Sequence, residues 1–232
     1  MSAGAPLGGL FVTGTDTGAG KTVVAAAICA ALHAQGRRVA AFKPVVTGLD
    51  EPDPVWPMDH ELLAACARTD PAAVAPYVYG PPLSPHRAAE LADRPIDPAL
   101  LLRRAGEAAA SAEILVAEGV GGLLVPLTLS YLVRDLAVDL ALPVVIAARP
   151  GLGTINHTLL TVEAARTAGL RVAAVAMGPW PDGPGDVAAT ANAEAVARLG
   201  DVDVVHMPHV AGPDVAALAA AGAALPLDAW LA

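Results

Sequence analysis

Two lysines stand among the 232 residues, against twelve arginines, and each lies where a phosphate-handling site needs a compact cation. Lys21 sits in Gly14-Thr15-Asp16-Thr17-Gly18-Ala19-Gly20-Lys21-Thr22, and Lys43 opens Lys43-Pro44-Val45-Val46-Thr47-Gly48. A chain that supplies its surface charge with arginine keeps lysine where a point charge serves better than a planar fork. The first segment joins an apolar run to an Ala-rich one and ends Gly-Lys-Thr, the pattern of a phosphate-binding loop. Backbone N–H groups over Gly18, Ala19, Gly20, Lys21, Thr22 and Val23 would cradle phosphate oxygens, aided by the dipole of the following helix. Lys21 would reach the β- and γ-phosphates, and the Thr22 hydroxyl would ligate Mg²⁺. The first glycine of the usual pattern falls at position 15; here that residue is Thr15 and the glycine is Gly14.

Two carboxylates extend this chemistry. Ile114-Leu115-Val116-Ala117-Glu118 is an apolar strand that delivers an acid at its end, where phosphate-loop proteins hold an acidic group near Mg²⁺. Gly119-Val120-Gly121-Gly122 follows and keeps backbone close to a ligand. Asp59 opens the segment Asp59-His60-Glu61-Leu62-Leu63, either as a helix N-cap or as a further Mg²⁺ ligand beside Thr22 and Glu118, and the two roles are compatible. Lys43 and Glu118 also admit the plainer reading of strand-end surface charges. His86 and His157 lie near helix starts and suit structural hydrogen bonds; His33, His60, His206 and His209 suggest nothing catalytic.

These residues need elements to hold them. Strand and helix alternate: strand Gly9–Thr13, helix Lys21–Gln35 closed by Gly36, strand Val39–Phe42, helix Asp59–Arg68, helix Ser84–Leu91 with Pro85 at its first position, helix Pro98–Ser111, strand Ile114–Glu118. Helix 132–140, strand 144–147, helix 154–168, strand 172–177, helix 186–199 and strand 202–207 complete the series. Segments 50–57 and 71–85 are Pro-rich, and the second is expected to be irregular. Continuous apolar strands alternating with helices imply an α/β fold: a mostly parallel sheet of phosphate-loop NTPase type, helices on both faces, one domain over residues 1–232. Ligands then bind beyond the carboxyl ends of the strands, where Gly14–Thr22, Lys43–Thr47, Glu118–Gly122, Gly178–Pro179 and Pro208–Val210 all fall.

Composition narrows the classes. Apolar residues make up 55% but aromatics only 3%, as in close-packed helices on a sheet. The longest apolar run, near Leu140–Ala148, is interrupted by Pro143 and is too short to span a bilayer. Met1–Gly9 lacks the basic start of a secretion leader. Cys29 and Cys66 have no metal-ligand spacing and suit free thiols in a reducing cytoplasm. A net charge of −9 argues against nucleic acid as a partner.

The motifs together resemble the dethiobiotin synthetase family. Carrying the resemblance are Val12–Thr22, Lys43–Gly48, Ser84-Pro85-His86, Glu118–Gly122, Gly151-Leu152-Gly153-Thr154-Ile155-Asn156-His157 and Met207-Pro208-His209-Val210, in family order. The resemblance implies an ATP-dependent cyclo-ligase of biotin synthesis. 7,8-Diaminononanoate and CO₂ form a carbamate, the nucleotide triphosphate phosphorylates it, and the second amine closes the ureido ring. It implies Lys21 and Lys43 as catalytic cations, and Mg²⁺ held through Thr22, Asp59 and Glu118. Thr17 and Thr47 would bind the substrate, whose carboxylate would meet Gly151, Leu152, Gly153, Thr154 and Asn156 of the second subunit of a homodimer. Nucleotide contacts extend through Gly119, Val120, Gly121, Gly178, Pro179, Pro208, His209 and Val210. Two positions depart from the family: Gly18, where many members carry Glu, and Gly178-Pro179, where many present Asn to adenine. Two related readings are weaker. An amidoligase of the cobyrinate type needs a second, glutamine-handling domain, and a partitioning-type ATPase switch needs a second lysine in the loop, where Asp16 and Thr17 stand.

Overall fold

A computed structural model describes residues 8–180 and 186–232; the expectation for Met1–Gly9 therefore lies almost wholly outside the described residues. In chain order, β1 (Gly9–Gly14) leads through the glycine-rich loop into α1 (Lys21–Ala34), followed by β2 (Val39–Phe42), β3 (Val45–Val46), α2 (Asp59–Ala67), α3 (Pro71–Val74), β4 (Tyr77–Val78) and α4 (Pro85–Leu91). Next come α5 (Pro98–Ala110), β5 (Ile114–Gly122), β6 (Pro126–Thr128), β7 (Tyr131–Leu132), α6 (Val133–Leu140), β8 (Val144–Ala148) and α7 (Thr154–Thr167). The chain closes with β9 (Val172–Trp180), α8 (Val187–Gly200), β10 (Val204–Pro208), α9 (Val215–Ala223) and α10 (Leu227–Leu231).

Six of these strands form one sheet in the order β10-β9-β8-β1-β5-β2, every neighbouring pair parallel. Alternate residues of each strand serve opposite faces. Leu10, Val12, Ile114, Val116, Val145 and Ala147 face the layer of α1, α2, α9 and α10. Phe11, Leu115, Ala117, Val144, Ile146 and Ala148 face the layer of α5, α6, α7 and α8. Both faces are dry, so every strand position can be apolar, which is why the strands read as unbroken hydrophobic runs. β1 lies between β5 and β8, and the chain crosses to opposite sides of it; the crevice above β1 is the switch point where such sheets take ligands.

Several expectations are corrected. Segment 71–85 is not irregular throughout: Asp70 Oδ1 accepts from the Ala72 N–H with Pro71 at the first helical position, and α3 results. β4 then pairs with β3 in a small second sheet. Ser84 precedes α4 but makes no capping bond; its Oγ meets His86 Nδ1 at 3.2 Å instead. The β6–β7 hairpin, α9 and α10 are additions, short or Ala-rich pieces with weak periodicity. Among the described residues, no helix is long and apolar enough to cross a membrane.

α1 is nearly enclosed, because α9 packs directly across it. A Cβ on Gly222 would stand 2.1 Å from the Ala27 carbonyl oxygen, so the helices touch backbone to backbone. Gly222→Ala is expected to destabilise by about 1–3 kcal/mol through overpacking, lowering Tm by roughly 2–4 °C per kcal/mol. Gly106→Ala in α5 meets open space and should be neutral or stabilising. Thermal unfolding of the two variants side by side checks the contrast.

Candidate active site

The glycine-rich loop leaves the end of β1 and is pinned there by the Thr15 N–H, which donates to the Ala147 carbonyl of β8 at 3.0 Å. Gly20 caps α1 with φ 87°, a left-handed conformation that a side chain would strain. The displaced first glycine has a packing reason. A Cβ on Gly14 would come within 2.9 Å of Lys21 Cγ, so the lysine stem lies over that glycine. Lys21 Nζ donates to the Asp16 carbonyl at 2.9 Å, which holds the ammonium over the loop.

Beneath the loop, charges are gathered with little water. Lys43, 2% exposed, follows β2, and Glu118, fully buried, projects from β5 beside it. Lys43 Nζ donates to Glu118 Oε1 at 2.5 Å and lies 2.7 Å from Asp59 Oδ2. Asp59 is therefore not the cap of α2. Met58 takes that place, its N–H donating to Glu61, and Asp59 is the first helical residue with its carboxylate turned to the cluster. Thr22 Oγ1 lies 2.9 Å from both Asp59 Oδ1 and Glu118 Oε1. One hydroxyl proton serves one acceptor at a time, so the three oxygens are drawn together beyond what hydrogen bonding satisfies. Cis oxygen ligands of a small divalent cation with bonds near 2.1 Å stand about 3 Å apart, so this spacing suits such an ion. Glu118 Oε2, buried without a hydrogen-bond partner, has acceptor capacity to spare. No group of three or more His, Cys, Asp or Glu forms an all-protein metal cage among the described residues.

Electrostatics separates the lysines. Burial pushes the Lys43 ammonium toward its neutral form, but Asp59 and Glu118 outweigh it and its pKa rises above the usual lysine value. Burial also acts on Lys21, Lys43 repels it, and its more distant carboxylates do not compensate, so its pKa falls. Burial raises the Glu118 pKa against the pull of Lys43, while Lys43 overcomes desolvation at Asp59 and lowers its pKa.

A cleft of about 680 Å³ opens above this cluster. It brings together Thr17, Gly18, Gly20, Lys21, Thr22, Val23, Lys43, Thr47, Asp59, Val120 and Gly121. A second pocket of about 220 Å³ adjoins it, walled by Ala19, Gly178, Pro179, Pro208, His209 and Val210. Gly20, Val23 and Trp56 line both. Gly119 is a correction: a Cβ there would meet Val133 and Phe11, so it faces the core opposite Glu118, not the cleft. Gly151, Leu152, Gly153, Thr154 and Asn156 line neither pocket. They form the turn from β8 into α7, with Gly153 as its cap, Leu152 and Asn156 exposed, and Thr154 turned inward to Thr158 Oγ1. The His157 imidazole makes no hydrogen bond among the described residues, against expectation; its backbone carbonyl accepts from Thr161. The cleft also holds residues the sequence did not single out, Glu51, Asp53 and Trp56 from one Pro-rich segment and Pro82 and Leu83 from the other, beside Ser84 and Pro85 of the Ser84-Pro85-His86 motif. Their only signal was the density of prolines, which mark turns without saying what they face.

A parallel sheet with a Gly-Lys-Thr loop above its switch point, and a Thr–Asp–Glu oxygen cluster beneath, defines a phosphate-loop NTPase. Residues 8–209 match the family described as AAA domain. A ParA family ATPase from Chlorobium tepidum shares the fold, with a TM-score of 0.54 over 95% of this chain and 92% of that one, at 11% identity. An ATP-dependent dethiobiotin synthetase BioD of Anaeromyxobacter dehalogenans is 46% identical over 82% of this chain and 85% of its own. That of Bacillus subtilis is 36% identical over 85% of each. The chain belongs to the dethiobiotin synthetase family.

Opposite effects on stability follow from the opposite pKa shifts. A lysine whose pKa is raised on folding stabilises fully below its unfolded value, and that contribution is lost as pH rises through the folded value. At pH 7 Lys43→Met should therefore lower Tm through the loss of at most about 3–5 kcal/mol of stability from pairing, reduced by Glu118 taking up a proton. Lys21, lowered on folding, costs stability while charged, so Lys21→Met should raise Tm of the nucleotide-free protein. Thermal scans at pH 7 read both signs, and equal signs would contradict the assignment.

Proposed function

We propose that the chain is an ATP-dependent dethiobiotin synthetase acting as a single domain over residues 1–232, and that the Lys43–Glu118–Asp59–Thr22 cluster under the phosphate loop, with Lys43 and Glu118 buried at its base, is its catalytic centre. That cluster, opening into the same cleft as Lys21 and Thr47, is the observation that carries the reading. The substrates are 7,8-diaminononanoate, CO₂ and ATP. One amine and CO₂ give a carbamate; its oxygen attacks the γ-phosphoryl group, expelling ADP and forming a carbamic-phosphoric anhydride. The second amine then attacks the carbamoyl carbon, releasing phosphate and closing the ring.

Lys21, at the start of α1 after β1, and Lys43, just after β2, approach the cleft from either side of β5 and would bracket the charge that spreads over phosphoryl and carbamate oxygens. Their burial makes each worth more than a solvated lysine, and their positions are fixed before substrate arrives. Thr22, Asp59 and Glu118 would hold Mg²⁺, which supplies charge neutralisation at the β- and γ-phosphates. Thr47 and Thr17 would hydrogen-bond the carbamate end. The β8–α7 turn, remote from the cleft within one chain, supports a homodimer in which Gly151–Asn156 of one copy meets the substrate carboxylate in the other. The buried free thiols of Cys29 and Cys66 support a reducing cytoplasm as its place of work.

The deciding experiment is product detection. Incubation with diaminononanoate, bicarbonate and Mg-ATP should yield the cyclic urea with one ADP per ring, from a species of about twice 23.2 kDa by light scattering. Lys43→Met should retain nucleotide binding but lose roughly 10²–10³ in turnover. Cyclic urea formation within threefold of wild type in that variant would remove Lys43 from catalysis.

Base selection is expected to be weak. The smaller pocket presents Ala176, Gly178, Pro179, Met207 and Pro208, and no side-chain amide able to pair with both a donor and an acceptor of adenine. Turnover with ATP, CTP, GTP and UTP at subsaturating concentration should differ by far less than a hundredfold; a larger preference for ATP over every other base would show selection through backbone groups near His209.

A further inference from the structure

The two pockets meet at three residues: Gly20, Val23 and Trp56. Gly20 and Val23 belong to the loop and first turn of α1, and form the floor. Trp56 comes from the Pro-rich segment 50–57, and among the described residues is the only aromatic side chain lining either pocket apart from the imidazole of His209. A nucleotide whose β- and γ-phosphates lie at Lys21 and Thr22, and whose base enters the pocket at Gly178 and Pro208, must pass its sugar between that floor and Trp56. The indole is held in place before any ligand arrives. Asp53 Oδ1 accepts from the Val55 N–H at 2.7 Å and from the Trp56 N–H at 2.9 Å, and the ring packs partly on the core beside α1. A segment joining β3 to α2 would otherwise be free to sample many conformations; here Asp53 pins it at Val55 and Trp56, and the Glu61 carboxylate pins it two residues further on by accepting from Met58.

We propose that Trp56 is a nucleotide-binding residue, packing against the sugar and the face of the base of the nucleotide and supplying affinity that does not depend on which base is bound. Every base presents a π-face to an aromatic ring, so such a contact is tolerant of base identity. That property matches a pocket without a base-reading amide. It also gives a role to a proline-rich segment whose sequence has no phosphate-binding character. The inference rests on the nucleotide path of the proposed function, yet it concerns binding alone and does not depend on ring closure.

The test is equilibrium binding with the full chain. Trp56→Ala should raise Kd for ATP, CTP, GTP and UTP by a similar factor, on the order of tenfold, as loss of one aromatic stacking partner does. Inorganic tripolyphosphate, which has neither sugar nor base, should bind both proteins equally. In the wild type, ATP should change the intrinsic fluorescence, and Trp56→Phe should abolish that change. Trp180 is stacked on His206 and Trp230 is buried within α10, and neither lines either of these two pockets. If Trp56→Ala fails to fold, Trp56→Leu carries the same binding measurements. Unchanged nucleotide Kd in folded Trp56→Ala or Trp56→Leu, or an equal loss for tripolyphosphate, overturns the proposal. Failure of the wild type to bind any nucleotide would overturn the nucleotide reading itself, an outcome distinct from both.

Discussion

The ion cluster of Lys43 with Glu118 and Asp59 is the constraint around which the rest of the chain is arranged. A fully buried carboxylate is tolerated only when a cation and hydrogen bonds answer its charge. Glu118 obtains these from Lys43 and Thr22, which arrive on different elements. β2 must therefore lie directly beside β5, α1 must begin within a hydrogen bond of both, and α2 must start where Asp59 can turn inward. Sheet order, loop length and helix entry are thus tied to one another through a few oxygen and nitrogen atoms. Removing any one of these groups leaves the others buried with unmatched charge or an idle lone pair.

Legibility in the sequence divides along a physical line. Elements whose cause is local were readable. β1, β2, β5 and β8 are apolar runs buried on both faces; α1 and α7 start after glycines and run through Ala-rich or amphipathic stretches. The loop at 14–22 and the acid at Glu118 were readable because glycine and a strand-end carboxylate carry chemistry at fixed spacing. Elements whose cause is tertiary were not. β3 and β4 exist because two short extended pieces find each other across thirty residues of chain, and α9 is held by its contact with α1, not by a periodic pattern. Asp59 stood between the two cases: its sequence position suited both a cap and a place beside Thr22 and Glu118, and the nearby Lys43 ammonium and Thr22 hydroxyl favour the inward orientation. Gly119 misled for a simpler reason. Gly119 keeps the strand alternation that turns it from Glu118 toward Phe11 and Val133, whereas Gly121 leaves the extended backbone at φ 59° and reaches the cleft, and composition alone does not say which glycine does so.

The division of labour within the cleft follows from these origins. Its floor and back wall are rigid, made by the sheet, α1 and the ion cluster. Its roof is made by the two Pro-rich segments, each anchored by a few backbone bonds such as those of Asp53, and by the Gly48 N–H donating to Pro81. Chemistry that needs charges held in place before substrate arrives is assigned to the floor. Contacts with the variable parts of ligands fall to the roof, where substitutions disturb little of the core.

The scarcity of lysine has a consequence outside catalysis. With both ε-amino groups enclosed, enzymes that acylate or tag surface lysines find no exposed ε-amino substrate on the folded protein. Any acylation that does reach an ε-amino group would strike one of two positions in the same cleft. The extent of ε-amino modification should accordingly report how far the fold has opened.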